Sequence, residues 1–165
     1  DFVVLCTNTM HKVAPAIESA VKIPLLHIAD PTAAAIRKAG LSRIGLLGTR
    51  FTMEQDFYRG RLVERHGIDV LTPEADDREL VHRVIYEELC LGRIEERSRQ
   101  AYRDVMQRLV ERGAQGIILG CTEISMLVGE QDASVPLFDT TAIHAAAAAE
   151  LALAAVDSAT PRAHM

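Results

Sequence analysis

Apolar runs of strand length alternate with longer helix-periodic segments along almost the whole chain. The runs fall at 2–6, 24–28, 43–47, 68–71, 116–119 and 136–138. Most are continuous rather than alternating, as parallel strands buried on both faces are. Helical patterns occupy 12–20, 31–39, 53–66, 76–91, 94–113 and 140–156. Asp30-Pro31 has the form of a cap followed by proline at the first helical position. Gly40, Gly67, Gly92 and Gly113 each stand just past a helical pattern, where a C-terminal glycine belongs. Pro15 is early enough in its helix to be tolerated. This βαβ rhythm predicts an α/β fold with a mostly parallel sheet.

Three polar loops directly follow apolar runs. Cys6-Thr7-Asn8-Thr9-Met10-His11 follows Phe2-Val3-Val4-Leu5, Gly48-Thr49-Arg50-Phe51-Thr52 follows Ile44-Gly45-Leu46-Leu47, and Gly120-Cys121-Thr122-Glu123-Ile124 follows Gly116-Ile117-Ile118-Leu119. In open α/β sheets ligands bind outside the carboxyl ends of the strands. The three loops therefore predict one site assembled from distant parts of the sequence.

Composition narrows the class of protein. In 165 residues, 48% are hydrophobic, enough for a real core, and the net charge of −5 is spread without a basic block. That argues against a nucleic-acid face. No apolar run approaches the roughly 20 residues that span a bilayer, so no membrane partner is expected. Three cysteines without CxxC spacing make a disulfide framework improbable and point to a reducing cytoplasm. The chain opens on Asp1, already next to a strand pattern, which predicts that a further N-terminal part precedes it.

Among the candidate groups, Cys121 lies where a strand ends and a helix starts, a setting that favours a thiolate; a buried cysteine acting as a small hydrophobe is the alternative. Strand alternation allows either Cys6 or Thr7, not both, to face the cleft. Asn8 and Thr9 offer hydrogen-bonding groups for a carboxylate or an amino group, or serve turn and capping work. Thr49 and Thr52 suit a substrate carboxylate, or Thr52 is an N-cap in a capping box with Gln55. Thr122 and Glu123 adjoin the thiol. Cys90, between Leu89 and Leu91, is expected in the core. His11 and His144 could act as acid or base, but orienting or capping is the plainer role. His66, His82 and the pairs Glu87-Glu88 and Glu95-Glu96 read as helix surface. The chain shows no metal-binding spacing.

Taken together, Asn8-Thr9-Met10-His11, Leu46-Leu47-Gly48-Thr49, Gly113-Ala114-Gln115-Gly116, Gly120-Cys121-Thr122-Glu123-Ile124 and Pro136-Leu137-Phe138-Asp139 resemble the aspartate/glutamate racemase family, closest to its aspartate-racemase branch. The resemblance implies two similar flavodoxin-like α/β halves with the active site in the cleft between them. Residues 1–40 would be the remainder of an incomplete first half and 41–137 the second half. Residues 138–156 would be a C-terminal helix returning to the first half, and 157–165 a tail. It implies a racemase independent of pyridoxal phosphate, with no cofactor and with one catalytic cysteine from each half on opposite faces of the substrate Cα.

This chain departs from the family's Cys-Asn-Thr pattern. Thr7 holds the catalytic cysteine's position, and Cys6 lies one residue away. A threonine hydroxyl is a poor base for a carbon acid but can relay a proton. The expectation is therefore Cys121 as the working thiolate with Thr7 opposite. In the family the second-half cysteine serves the L-enantiomer, which implies a bias towards L-substrates. Aspartate or glutamate is the first-choice substrate, with other small amino acids open because the family's lysine near the end of the long helix is replaced by Leu89-Cys90-Leu91-Gly92. The expected partner is a small-molecule amino acid, and a homodimer stays open. The rival readings are a hydantoin racemase, malonate decarboxylase or maleate isomerase reaction in the same superfamily, and an inactive fragment.

Overall fold

The computed structural model describes residues 1–159, with side chains to residue 154. All strand pairings are parallel. A small sheet joins β1 (Val3–Val4) to β2 (Leu25–Leu26). A larger sheet has the order β4-β3-β5-β6, with β3 at Arg43–Gly48, β4 at Asp69–Leu71, β5 at Ile117–Gly120 and β6 at Leu137–Asp139. Around them lie α1 (Ala14–Ala20), α2 (Ala29–Lys38), α3 (Arg50–Glu54), α4 (Asp56–His66), α5 (Ala75–Glu87), α6 (Glu96–Glu111), α7 (Ile124–Leu127) and α8 (Thr140–Ala159). Among the described residues no helix is long and apolar enough to cross a membrane.

The larger sheet has its core on both faces, as continuous apolar strands require. Ile44, Leu46, Ile118 and Phe138 pack with α2 and α4 on one side. Leu47, Ile117 and Leu119 pack with α5, α6 and α7 on the other. The chain leaves β3 towards β4 on one edge and returns to β5 on the other, so the strand order reverses between β3 and β5. The carboxyl ends of those two strands flank the crevice where ligands bind in such sheets.

α8 packs against α2, and its His144 Nε2 donates to the Leu26 carbonyl of the small sheet at 2.9 Å. Of the expected tail at 157–165, residues 157–159 continue α8, and 160–165 lie outside the described residues.

Several boundaries differ from expectation for local reasons. The helix expected at 53–66 is two helices, split where Gln55 is extended at φ −91° and ψ 150°. α2 starts at Ala29, so Asp30 is not its cap. The Asp30 carboxylate instead receives two bonds from Arg61, both 2.7 Å, and one from His66 at 2.8 Å. His66 is thus a bridge between α2 and α4 rather than plain helix surface.

Candidate active site

Gly48 and Gly120 are paired in register at the ends of β3 and β5. A Cβ on Gly120 would meet the Leu47 carbonyl oxygen at 2.8 Å, and one on Gly48 would meet the Gly120 oxygen at 3.0 Å. The bare backbone lets the two strands close on each other, so their next residues, Thr49 and Cys121, emerge side by side. Facing them is the loop after β1. Cys6, Thr7, Asn8, Thr9, Thr49, Cys90, Cys121, Thr122 and Glu123 share one cavity of about 300 Å3, which Ile85 and Tyr86 complete.

Both Cys6 and Thr7 border the cavity, contrary to the either-or expected from strand alternation. β1 has already ended at Val4, and the Thr7 N–H donates to the Leu5 carbonyl at 2.9 Å. That bond closes a three-residue turn at Cys6, and strand alternation lapses there.

Asn8 is buried. Its Nδ2 donates to Thr140 Oγ1 at 3.0 Å, and Thr140 Oγ1 donates in turn to the Leu119 carbonyl at 2.9 Å. This relay fixes the amide's orientation and leaves Asn8 Oδ1 buried without a hydrogen-bond partner among the described residues. The Thr9 hydroxyl is 3.1 Å from Thr49 Oγ1, which is 3.2 Å from Thr52 Oγ1. These hydroxyls tie the β1 loop to the β3 loop. Thr49, not Thr52, caps α3, accepting from the Thr52 N–H at 3.4 Å. The capping box expected for Thr52 and Gln55 is absent because Thr52 is inside the helix. Thr52 is fully buried behind the cavity, not in its wall.

The surroundings of Cys121 favour its thiol form, although its place at a strand end is one that favours a thiolate. Its Sγ donates to Glu123 Oε2 at 2.9 Å, and the Thr122 hydroxyl donates to the same oxygen at 2.7 Å. Burial, then the Glu123 carboxylate, push the Cys121 thiol up to about 12. Burial also works to raise Glu123, but the two donors outweigh it and hold its carboxyl below the ordinary value. The strand-end position thus loses to desolvation and to an adjacent negative charge.

Cys90 is exposed on the cavity rather than in the core. α5 ends at Glu87, and residues 89–91 form a 3-10 turn closed by Gly92 at φ +71°, which swings the cysteine outward. Tyr86, in the last turn of α5, and Cys90, in the 3-10 turn, reach the cavity from two different elements, so no helical spacing links them. Glu88 is not purely solvated, since Ser98 donates to it at 2.5 Å. His82 Nδ1 accepts the Arg50 N–H at 3.2 Å, beside the start of α3. Among the described residues no group of three or more His, Cys, Asp or Glu side chains is arranged to hold a metal.

The family model described as Asp/Glu/Hydantoin racemase matches residues 1–148. A candidate Asp/Glu racemase from Yersinia pestis is 66% identical, with a TM-score of 0.89 over 92% of this chain. An aspartate racemase homologue from Pyrococcus horikoshii OT3 is 34% identical, with a TM-score of 0.82 over 92% of this chain. The chain spans 66% of the length of each of those two structures. An uncharacterized Pectobacterium carotovorum protein is 32% identical over 112 residues, 68% of this chain and 73% of that protein.

Proposed function

The chain belongs to the Asp/Glu/hydantoin racemase family, and from that premise we propose that its cavity serves cofactor-independent racemisation of an acidic amino acid, aspartate or glutamate, biased to the L-enantiomer. The observation that carries this reading is the Asn8 amide. Its donor side is committed to Thr140, which leaves Oδ1 buried and without a partner in the wall of the cavity that also holds Cys121, an acceptor that a substrate ammonium reaches once the Asn8 wall shifts to admit it. The hydroxyls of Thr9 and Thr49 are suited to the α-carboxylate, with Thr122 at the rim. A substrate so held has its Cα between Thr7 and Cys121.

The chemistry starts from a thiol. The Cys121 proton passes to Glu123 Oε2 along the existing hydrogen bond. The resulting thiolate takes the Cα proton, and the electron pair moves into the substrate carboxylate. Thr7 relays a proton from water to the opposite face, and the hydroxide so formed takes the proton held by Glu123 through solvent, which restores the Cys121 thiol and the Glu123 carboxylate of the resting site. The bound ammonium lowers the cost of the first step, because a positive charge beside a buried thiol favours its ionised form. Abstraction from the face opposite Cys121 would fall to a threonine hydroxyl, which cannot ionise near neutral pH. Hence the L-bias.

Cα hydrogen exchange in deuterium oxide, followed for each enantiomer of aspartate and glutamate, tests this. L-substrates should exchange much faster than D-substrates. C121A should lower L-exchange by about 10³-fold, the scale of a lost general acid–base group. T7C should raise exchange from the D-enantiomer, and C6S should change little. Equal rates from both enantiomers would overturn the asymmetry. A collapse in C6S would make Cys6 the second acid–base group.

A further inference from the structure

Three buried imidazoles lie behind the Thr7 loop and have no part in the chemistry above. His11, His27 and His144 are 1%, 2% and 3% exposed. The His11 and His27 ring centroids are 4.3 Å apart, and those of His11 and His144 are 6.1 Å apart. Each ring is bonded to main chain. The Ile28 N–H donates to His11 Nε2 at 3.1 Å, so that nitrogen is an acceptor. The proton therefore sits on Nδ1, which donates to the Thr7 carbonyl at 2.6 Å. His27 Nδ1 likewise accepts the Ala29 N–H at 3.2 Å.

We propose that His11 is a positioning residue for the reaction read above: in its neutral Nδ1–H form it clamps the Thr7 peptide to the start of α2, and its protonation releases that wall of the cavity. The proposal rests on the racemase reading for its effect on turnover, but not for the clamp itself. Thr7 and Asn8 follow a strand of only two residues. His11 reaches back four residues to Thr7 and forward seventeen to Ile28, supplying a constraint that the strand does not. A second proton on His11 would set Nε2–H against the Ile28 N–H, two donors facing each other, and that bond would be lost.

The surroundings oppose such a charge. Burial, the charges of His144 on α8 and of Arg61 on α4 hold His11 below its ordinary value, against the pull of the Thr7 and Asn8 main chain. Burial first, then His11, Arg61 and Arg65, bring His27 down to about 3, although Asp30 on α2 pulls it up. Glu18 on α1, Asp56 and Glu64 on α4, and Lys12 beside His11 border the groove outside the cluster. A histidine whose folded value is depressed stabilises the fold above its unfolded value of about 6.5. That stabilisation shrinks as pH falls below 6.5, and the clamp opens only as pH passes the lower folded value.

Two measurements on the full chain test the proposal. Imidazole 15N shifts should show His11 with a protonated Nδ1 and a bare Nε2 at neutral pH. On acidification, loss of the Ile28 amide's protection should follow His11 titration. For turnover, H11Q keeps a donor for Thr7 and an acceptor for Ile28 without a titrating ring, whereas H11F keeps volume and loses both. H11F should lower kcat about tenfold, the scale of one lost hydrogen bond. H11Q should restore it and remove the acid limb of the kcat–pH profile attributable to His11. The opposite tautomer, an Ile28 amide indifferent to His11 titration, or an H11Q profile with the wild-type acid limb would overturn it. If no amino acid exchanges its Cα hydrogen, the racemase reading falls, while the 15N and amide results still decide the clamp.

Discussion

The wall that carries Cys121 hangs from β3 and β5, strands of six and four residues whose inner positions are fully buried, whereas the wall that carries Thr7 follows a two-residue strand. The first is held by sheet hydrogen bonds and by large side chains such as Leu46, Leu47, Ile117 and Ile118, each contributing roughly 1.5–3 kcal/mol by burial. The second is held by directed polar contacts: Asn8 to Thr140, Thr9 to Thr49, and His11 to Thr7 and Ile28. Each such bond is worth only about 1 kcal/mol net, but leaving a buried partner unmatched costs more. The sheet wall should therefore fail on changes of shape or polarity in its packed core, whereas the Thr7 wall should fail on the loss of single hydrogen-bonding groups.

The largest expected effect is steric and falls on the sheet wall. In G120A the new methyl would meet the Leu47 carbonyl at 2.8 Å and Leu46 Cδ1 at 3.0 Å. The carbonyl belongs to the neighbouring strand and cannot withdraw without disturbing the ladder. A loss of about 1–3 kcal/mol is expected, read as a lower urea midpoint with an unchanged slope. An unchanged midpoint would show that β3 and β5 do not need bare backbone at their ends.

On the polar wall, N8A removes the donor to Thr140 and the free acceptor together. Stability should fall by about 1–2 kcal/mol, less than in G120A. KM should rise more than kcat falls, because the lost contact is to the substrate's ground state as well. Destabilisation greater than that of G120A would reverse the comparison of the walls.

The same contrast explains what was legible in the sequence. Continuous apolar runs and glycines at helix ends marked the larger sheet and its helices, and the loops at strand ends brought Thr49 and Cys121 together. Parallel-sheet physics leaves few other arrangements for such runs. Cys6 and Cys90 were misjudged because a 5→7 main-chain bond and a 3-10 turn decide where they point, and neither leaves a periodic trace. The resting state of Cys121 depends on the rotamer of Glu123, two residues away, which sequence spacing does not specify. Thr140 and His27 went unnoticed as parts of the site's support, since contacts 132 and 16 residues distant from Asn8 and His11 carry no local pattern.

The smallest effect concerns how α2, which anchors the Thr7 wall through Ile28, is tied to α4. Burial works to raise Asp30, but bonds from Arg61 and His66 outweigh it and hold its carboxyl down at about 2, against an ordinary 3.8. A carboxylate depressed in the fold stabilises it above the unfolded value, and that contribution is lost as pH falls from about 4 towards 2. The pair is partly exposed, with 14% of the Arg61 and 34% of the Asp30 side chain accessible. Solvent screening therefore limits its worth to about 1 kcal/mol. D30N should lower Tm modestly at pH 7, by an amount that stays level down to about pH 4. The gap to wild type should then close between pH 4 and pH 2. Because the histidine contribution weakens already below 6.5, the two ties can be separated on one acid scan. A gap that stayed open down to pH 2 would show that the Asp30 carboxylate, and so its pairing with Arg61, does not govern the tie between α2 and α4.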